Sequence, residues 1–439
     1  MKKILVVSSS QKVIETVNEG CIAFSDDFDA CIKTDVEEAI SYINYELPEI
    51  KILDYTSPET DCAAILSEIH GDPWLHYGGV IAICSDRTQM KEPEALKDSN
   101  IVSIQTLHDF SCHFIRLLRI LWQNQKFLLI RGMQDDLGGE ENGAFTCGND
   151  PFDIQFYTQF LVNYLYNTNR ISDTDRHNLQ MTLSELLTNA LEHGNLNITY
   201  EDKTKWMQEH GDIFGLIGLR AADPRYVNRQ ITITYSIGKA KSAFVIRDEG
   251  NGFDWRRYAG AQRKDGADGL ELHGRGIRLS SGLVSKLLYN EKGNQVMFEI
   301  NNQINESSTV PKVMTNFETV RYTDKQVVCR ENEPTNDLFF IVSGKFAVYS
   351  GRRLVSVLTP NDMFIGEMSF LLNDKRSATI LAAGSCALIR IPKIDFLKMI
   401  RKNPHYGIFL SRMLAQRLVR QTQCTIKLNE QILKCQGKL

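Results

Sequence analysis

Three short stretches carry residue types and spacings suited to nucleotide chemistry. In "SELLTNALEHGN" (184–195), Glu185, Asn189 and His193 recur every four residues within a segment otherwise rich in Leu and Ala. At 3.6 residues per turn such a row drifts about 40° per step along one flank of a helix. An acid, an amide and an imidazole placed there border either solvent or a polar ligand. In "FVIRDEGNGFDW" (244–255) an apolar run ends at Asp248 and is followed by Gly250 and Gly252. A carboxylate fixed at a strand end accepts from an exocyclic amine such as adenine N6, and two close glycines let backbone approach a flat ring without a Cβ clash. In "HGRGIRLSSGLVSKLLYN" (273–290), Gly274 and Gly276 flank Arg275 at the start of an apolar pattern. Gly-rich backbone opening a helix cradles phosphate through free N–H groups and the helix dipole.

Elements must hold these residues. The first row predicts a helix from "ISDTD" (171–175), capped by Ser172 or Asp173 and ending near Gly194 as its C′ residue. Leu179, Leu183, Leu186, Leu187 and Ala190 make its apolar face. The third stretch predicts another helix, with Ile277, Leu279, Leu283, Val284, Leu287 and Leu288 apolar, followed by a turn and a closing strand over "GNQVMFEI" (293–300). Taken in order, the E-x-x-x-N-x-x-x-H row, the D-x-G-x-G loop, the G-R-G helix start and the closing G-N-x-V strand resemble the Bergerat ATP-binding fold, an α+β sandwich. Within it the match is closest to anti-sigma-factor serine kinases, over residues 152–302.

That resemblance implies roles by position. Asn189 would ligate the Mg²⁺ that bridges the phosphates of ATP. Glu185 would act as general base on a substrate serine hydroxyl, or orient a metal-bound water. Asp248 would hold adenine, with Gly250 and Gly252 against the base. Gly274 and Gly276 would approach the phosphates, and Arg275 would stabilise charge near the transferred group. His193 joins the nucleotide-binding set, or serves only as a helix end satisfied by nearby carbonyls. Phosphoryl transfer is mainly positioning and charge neutralisation, so one metal, one base and one cation suffice. The segment 195–229 is an insertion relative to that family, with room for a helix or two. No paired-helix segment carrying a phospho-accepting His precedes this block, which disfavours a sensor histidine kinase.

Farther along, short alternating apolar runs with turns over 317–400 predict a small antiparallel barrel or jelly roll. Gly344 in "SGKFAVY" reads as a tight hairpin turn between two strands. The run "FIGEMSFLLNDKRSATI" (364–380) resembles the phosphate-binding cassette of cyclic-nucleotide-binding domains. The resemblance implies that Gly366, Met368 and the residues after them present backbone N–H groups to a cyclic phosphate. Glu367 would accept from the ribose 2′-OH, Arg376 would pair with the phosphate, and Ser377 and Ala378 would complete the cassette. Ser377 beside Arg376 favours cAMP over cGMP. A final helix from about 404 to 432 carries an apolar row suited to pairing two chains as a homodimer. No helix-turn-helix follows, so direct nucleic-acid binding is not expected.

At the other end, "KKILVV" (2–7), "EIKILDY" (49–55) and "GGVIAIC" (78–84) are continuous apolar runs separated by helical patterns such as 36–47. They predict a doubly wound parallel α/β domain. Residues 1–130 resemble a response-regulator receiver domain, with Asp54 at the phospho-acceptor position and Pro58 four residues on. The acidic pair that would hold Mg²⁺ is Ser8 and Ser9, and the Lys expected after the last strand is missing from "VSIQTLHD" (102–109). A lone Asp holds a metal poorly, so this domain reads as a pseudo-receiver for docking or dimerisation, with residual phosphorylation at Asp54 as the alternative.

The chain therefore reads as three domains, 1–130, 151–303 and 315–435, joined by polar stretches at 131–150 and 301–316. Its 439 residues, 43% hydrophobic and 24% charged content and formal net charge of −4 fit a globular protein with no general attraction to nucleic acid. No apolar run reaches the roughly 18 residues of a membrane span, and no signal peptide is visible. Ten cysteines without a CxxC pair argue for a reducing cytoplasm. The expected activity is ATP·Mg²⁺-dependent phosphorylation of a serine on an anti-sigma-antagonist-like partner, or sequestration of a sigma-factor-like regulator, tuned by the cyclic nucleotide. The alternative is a non-catalytic switch that captures a partner under control of both nucleotides.

Overall fold

A computed structural model describes residues 1–72, 75, 78–98, 100–124, 141–238, 240–255, 285–303, 314, 316–359, 362–408, 410–411, 413–415, 418, 422 and 425–426. Contacts divide the chain into two compact units. One holds Met1–Gly78 and Thr309–Leu439, the other Gly79–Arg131 and Asp135–Ser308. The division at Gly78 runs through the stretch 1–130.

In the first unit, β1 (Lys2–Val7) pairs in parallel with β2 (Phe28–Lys33) on one side and β3 (Ile50–Asp54) on the other. Ile4 to Val7 and all of β3 are buried, as strands covered on both faces must be. Helices α1 (Gln11–Ala23), α2 (Val36–Glu46) and α3 (Cys62–Gly71) connect and flank these strands. The Asp35 side chain caps α2 by accepting from the Glu38 N–H at 2.9 Å.

The same unit contains an antiparallel sheet in the order β11-β16-β13-β14, with β12 added to β16 and β15 to β13. The strands are β11 (Thr319–Tyr322), β12 (Val327–Cys329), β13 (Leu338–Ser350), β14 (Arg353–Leu358), β15 (Phe364–Ile365) and β16 (Thr379–Ile391). Phe339, Ile341, Phe346, Ile365 and Leu388 fill its core. Gly344 is not a hairpin turn. β13 runs through it, the register against β16 shifts between Ser343 and Lys345, and its φ is +93°. The position needs glycine because a Cβ there would meet Cys386 Sγ at 2.5 Å. The hairpin turn lies at Gly351 instead, between β13 and β14.

After β16 comes the short helix α11 (Lys393–Lys402). Just beyond it, His405 and Tyr406 are buried, and both meet Asp72 at the end of α3: His405 Nε2 and the Tyr406 hydroxyl each lie 2.8 Å from Asp72 Oδ2. Burial first, and then the Asp72 charge, push the Tyr406 phenol well above its usual range. Asp72→Ala removes this shared acceptor from two buried polar groups. We expect a loss of about 2–4 kcal/mol, read as a lower urea midpoint with an unchanged slope.

In the second unit, β4 (Gly79–Cys84) and β5 (Ile101–Thr106) are parallel, with α4 (Lys91–Ala95) between them and α5 (Leu107–Gln123) after. A five-stranded sheet follows in the order β6-β7-β8-β10-β9. Its strands are β6 (Glu141–Cys147), β7 (Ile231–Ile237), β8 (Lys241–Arg247), β9 (Lys286–Tyr289) and β10 (Gln295–Asn301). β6 lies inside the stretch that reads as a linker. Its acidic, Gly-containing sequence lacks a strong strand signal, but Gly143 makes room for Tyr235 across the pair, where a Cβ would strike the phenol ring. β7 alternates buried and open positions, burying Ile231, Ile233, Tyr235 and Ile237.

The long helices are α6 (Pro151–Asn167) and α7 (Asp173–Asn189). Pro151 at the first position and Asp150 as cap start α6. α7 opens with a reciprocal capping box between Ser172 and Asp175. It does not end as an α-helix at Gly194: residues Ala190–Asn195 form a π-helical turn. The insertion holds α8 (Tyr200–His210) and α9 (Phe214–Ala221). The six-residue helix α10 (Glu367–Leu372) belongs to the first unit. Leu287 and Leu288, expected on a helix, lie on β9, paired with Phe298 and Met297. Among the described residues no helix is long and apolar enough to cross a membrane.

Candidate functional site

The polar row sits where α7 passes into the π turn. Glu185 is exposed, Asn189 is half-buried, and the Asn189 amide donates to Glu185 Oε1 at 3.3 Å. His193 is exposed with Nδ1 2.7 Å from the Ile198 carbonyl, so it closes the turn after the helix. Burial, and then the Glu185 charge, push the phenol of Tyr289, on β9, up to about 12. Tyr289 is met edge-on by Phe253 at 5.5 Å and stacked by Trp255 at 6.0 Å.

The Asp248 loop closes against the π turn. Asp248 is 9% exposed and Oδ1 accepts from the Gly250 N–H at 2.8 Å. A Cβ on Gly194 would lie 2.4 Å from Asp248 Cγ, and one on Gly250 would lie 2.3 Å from the Gly194 carbonyl. Gly194 is therefore a glycine of close approach. It has no positive φ, as the expected C′ cap would. Gly252 does have one, +76°, with the Lys292 carbonyl occupying the space of a side chain. Asn195 is fully buried and joins the pieces: Oδ1 accepts from the Glu249 N–H at 2.9 Å and Nδ2 donates to Asn149 Oδ1 at 2.8 Å. Asn294 donates to the Asp248 carbonyl at 3.1 Å. The sequence assigned a role to neither Asn195 nor Asn294; an Asn directly after a Gly, at 194–195 and 293–294, was the only signal. Gly274, Arg275 and Gly276 lie outside the described residues.

Burial raises the Asp248 carboxyl pKa, opposed in part by the Gly250 N–H. A carboxyl raised in the fold contributes stability that is present at low pH and lost as pH rises through the raised value, so its ionised form is a cost at neutrality. Asp248→Asn is thus expected to unfold at higher urea than wild type at about pH 7, with the gap narrowing towards about pH 4. Paired urea titrations at the two pH values check this.

Asp54 ends β3 and is fully buried. Ser8 Oγ donates to its Oδ2 at 2.5 Å, and the Thr56 N–H and hydroxyl donate to its Oδ1 at 3.0 and 2.6 Å. Ser9 Oγ lies 2.6 Å from Ser57 Oγ. Among the described residues no cluster of three His, Cys, Asp or Glu side chains is placed to hold a metal.

The third set lies between β15 and β16. Gly366 has φ +88° and starts α10. Arg376 is 3% exposed, and its guanidinium lies against this glycine, with Nη1 2.0 Å from where a Cβ would be. Nε donates to Thr335 Oγ1 at 2.9 Å, Nη1 to Ser369 Oγ at 2.8 Å, and Nη2 to the Asp337 carbonyl at 2.8 Å. These partners are neutral oxygens, and the face of Phe339 lies 5.4 Å from the guanidinium carbon. Glu367 and Ala378 are half-buried, while Met368 and Ser377 are exposed.

The cyclic nucleotide-binding domain family model matches residues 319–403, which span this sheet, the Gly366 turn, Arg376 and α11. Residues 319–403 are a cyclic nucleotide-binding domain. Similar stretches occur in a cyclic nucleotide-gated potassium channel of Mesorhizobium japonicum, 34% identical over 98 residues, covering 21% of this chain and 25% of the channel. The cAMP-dependent protein kinase regulatory subunit of Dictyostelium discoideum is 30% identical over 112 residues, 22% of this chain and 34% of that one. The cyclic AMP receptor protein of Thermus thermophilus is 29% identical over 114 residues, 25% of this chain and 52% of that one. Among solved structures, the catabolite activator protein of Thermus thermophilus is 26% identical, covering 27% of this chain and 57% of that one, with a TM-score of 0.24. The chain spans about a quarter of the length of the channel it matches.

Within the cyclic nucleotide-binding domain, the sequence singled out Gly366, Glu367 and Arg376 but not the groups that hold Arg376. Thr335 and Asp337 come from the turn before β13, some forty residues earlier. Only the fold brings them to the cassette.

Proposed function

We propose that this chain is a signalling regulator whose C-terminal domain binds a cyclic nucleotide and whose central domain binds ATP with Mg²⁺ and phosphorylates a serine on a partner protein. One observation carries the first half. Among the described residues, the buried Arg376 has neutral hydrogen-bond partners only. A buried cation without a counter-ion is costly, and the phosphate of a cyclic nucleotide supplies that charge beside the backbone at Gly366. Glu367 would accept from the ribose, and Ser377 favours cAMP. Calorimetry of the full chain with cAMP and with cGMP tests this, and absence of heat with both would reject it.

For the central domain, support comes from the cradle at Asp248. Gly194, Gly250 and Gly252 let the loop close against the π turn and against Lys292, which fixes the Asp248 carboxylate at the end of β8, where it would accept from the exocyclic amine of adenine. Asn189 would hold Mg²⁺, which neutralises phosphate charge when bound. Glu185 would take the serine proton, and its exposure leaves it open to a protein substrate. Gly274, Gly276 and Arg275 would face the phosphates. We infer an anti-sigma-antagonist-like or sigma-factor-like protein as partner.

A second reading, a partner-binding switch without phosphotransfer, draws support from Asp54. The carboxylate at the phospho-acceptor position of residues 1–130 is buried, and both its oxygens accept hydrogen bonds from the protein. That supports reading residues 1–130 as a docking or dimerising module. The final helix would pair two such chains in a cytoplasmic homodimer. Incubation with labelled ATP and candidate partners separates the readings: label on the partner supports the kinase, ATP-dependent capture without label the switch.

A further inference from the structure

The turn between β9 and β10 is built by its own side chains. Asn290 Oδ1 accepts from the N–H of Gly293 at 2.7 Å and of Asn294 at 3.1 Å, and Asn290 Nδ2 donates to Asn294 Oδ1 at 2.9 Å. The Trp255 indole N–H donates to the Asn290 carbonyl at 2.8 Å. Asn294 then grips the main chain of Asp248: its carbonyl accepts from the Asp248 N–H at 3.1 Å, and its Nδ2 donates to the Asp248 carbonyl at 3.1 Å. These bonds place the Asp248 backbone. They leave its carboxylate to be aimed by other groups.

Lys292, in the same turn, touches the Asp248 loop twice. Its carbonyl occupies the space that a side chain on Gly252 would need. Its Nζ donates to the Gly250 carbonyl at 2.9 Å, while the Gly250 N–H donates to Asp248 Oδ1 at 2.8 Å. The ammonium thus holds, from the far side, the one residue whose N–H aims the carboxylate. Lys292 is itself exposed, and a surface lysine gives up rotamer freedom to make such a bond. Its charge reaches Asp248 as well. Burial raises the Asp248 carboxyl, and the Gly250 N–H, Lys292 and Arg229 oppose that rise. Among the described residues, Lys292 on this turn and Arg229 before β7 are the cations that act on it.

We propose that Lys292 is a positioning residue for nucleobase recognition: by holding Gly250 it keeps the Asp248 carboxylate aimed to accept from the exocyclic amine of adenine. The proposal rests on the reading of the central domain as an ATP site. It adds to that reading a residue outside the D-x-G-x-G loop and a consequence for base selectivity. A charge-assisted bond to the amine needs the carboxylate ionised and fixed in direction, and one lysine serves both needs.

Lys292→Met removes the ammonium and keeps the stem and the backbone, so the carbonyl packed on Gly252 stays in place. The probes are ATP and purine riboside triphosphate, which carries hydrogen where ATP has the exocyclic amine. Each is titrated by calorimetry, with Mg²⁺, into the full chain. Wild type should bind ATP more tightly than the analogue. Lys292→Met should weaken ATP by roughly threefold to tenfold and the analogue by less than about twofold, so that selectivity for the amine shrinks. Lys292→Arg should restore part of it, since a guanidinium still donates to the Gly250 carbonyl. Repeating the titrations at falling pH adds a second readout. Loss of a nearby cation disfavours the ionised carboxyl, so ATP affinity should begin to fall at a higher pH in Lys292→Met than in wild type. Equal weakening of both nucleotides would place Lys292 at the phosphates or in general loop stability and overturn the proposal. Unchanged ATP affinity in Lys292→Met would overturn it too, as would a wild type that binds both nucleotides equally; in each case ATP binding by the central domain stands. A wild type that binds neither nucleotide rejects the ATP reading itself, and the role of Lys292 with it.

Discussion

Arg376→Ala is expected to abolish cyclic nucleotide binding by the C-terminal domain. The guanidinium is the only buried cation of the cassette among the described residues, and it is held from three directions by Thr335, Ser369 and the Asp337 carbonyl. This fixes the fork before ligand arrives, so little ordering entropy is lost on binding. Removing one partner of a buried charge pair costs about 2 kcal/mol or more, at least about a thirtyfold loss of affinity. Arg376→Lys keeps the charge but cannot span the three oxygens, and should recover only part of it. Gly366→Ala gives an independent test: its Cβ would fall 2.0 Å from Nη1 at a φ of +88°, so the guanidinium must move. Calorimetry with cAMP on all three variants, with melting curves to confirm folding, checks the set. Wild-type affinity in a folded Arg376→Ala protein would remove Arg376 from the site.

The elements that proved legible are those whose signal is local. The apolar runs at 2–7, 49–55 and 78–84 coincide with β1, β3 and β4, because strands buried on both faces need no partner to declare themselves. Position within the fold was harder to read. β6 hides in an acidic stretch because its glycine answers to Tyr235, ninety residues on. Leu287 and Leu288 fit a helical pattern equally well and became strand through pairing with β10. Gly194 and Gly344 were misread for one reason. Each is glycine because a distant side chain, Asp248 or Cys386, occupies the place of its Cβ, and a single sequence shows only that a glycine is there. At the cassette the charged residues were visible as a motif, whereas the oxygens that aim Arg376 come from a separate turn.

The largest effect on phosphotransfer is expected from Glu185→Gln. The substitution keeps size and leaves an amide oxygen that still accepts from Asn189, as Glu185 Oε1 does at 3.3 Å. What it removes is the proton acceptor and its charge. General-base catalysis contributes about 10²–10⁴-fold, so label transfer to a serine partner should fall by that factor while ATP binding stays within about threefold. Asn189→Ala should do the opposite, weakening ATP·Mg²⁺ binding itself. Tyr289 supplies a control that does not rely on turnover. Its phenol is raised to about 12 by burial first and by the Glu185 charge second, so Glu185→Gln should lower the value and leave it above the ordinary tyrosine range. Ultraviolet titration of wild type and variant reads this shift. A shifted Tyr289 with undiminished label transfer would place Glu185 where the structure has it and deny it the role of base. A shifted Tyr289 with no transfer from wild type and intact ATP-dependent partner capture would select the switch, because the pocket would then be assembled and the acid would have no proton to take.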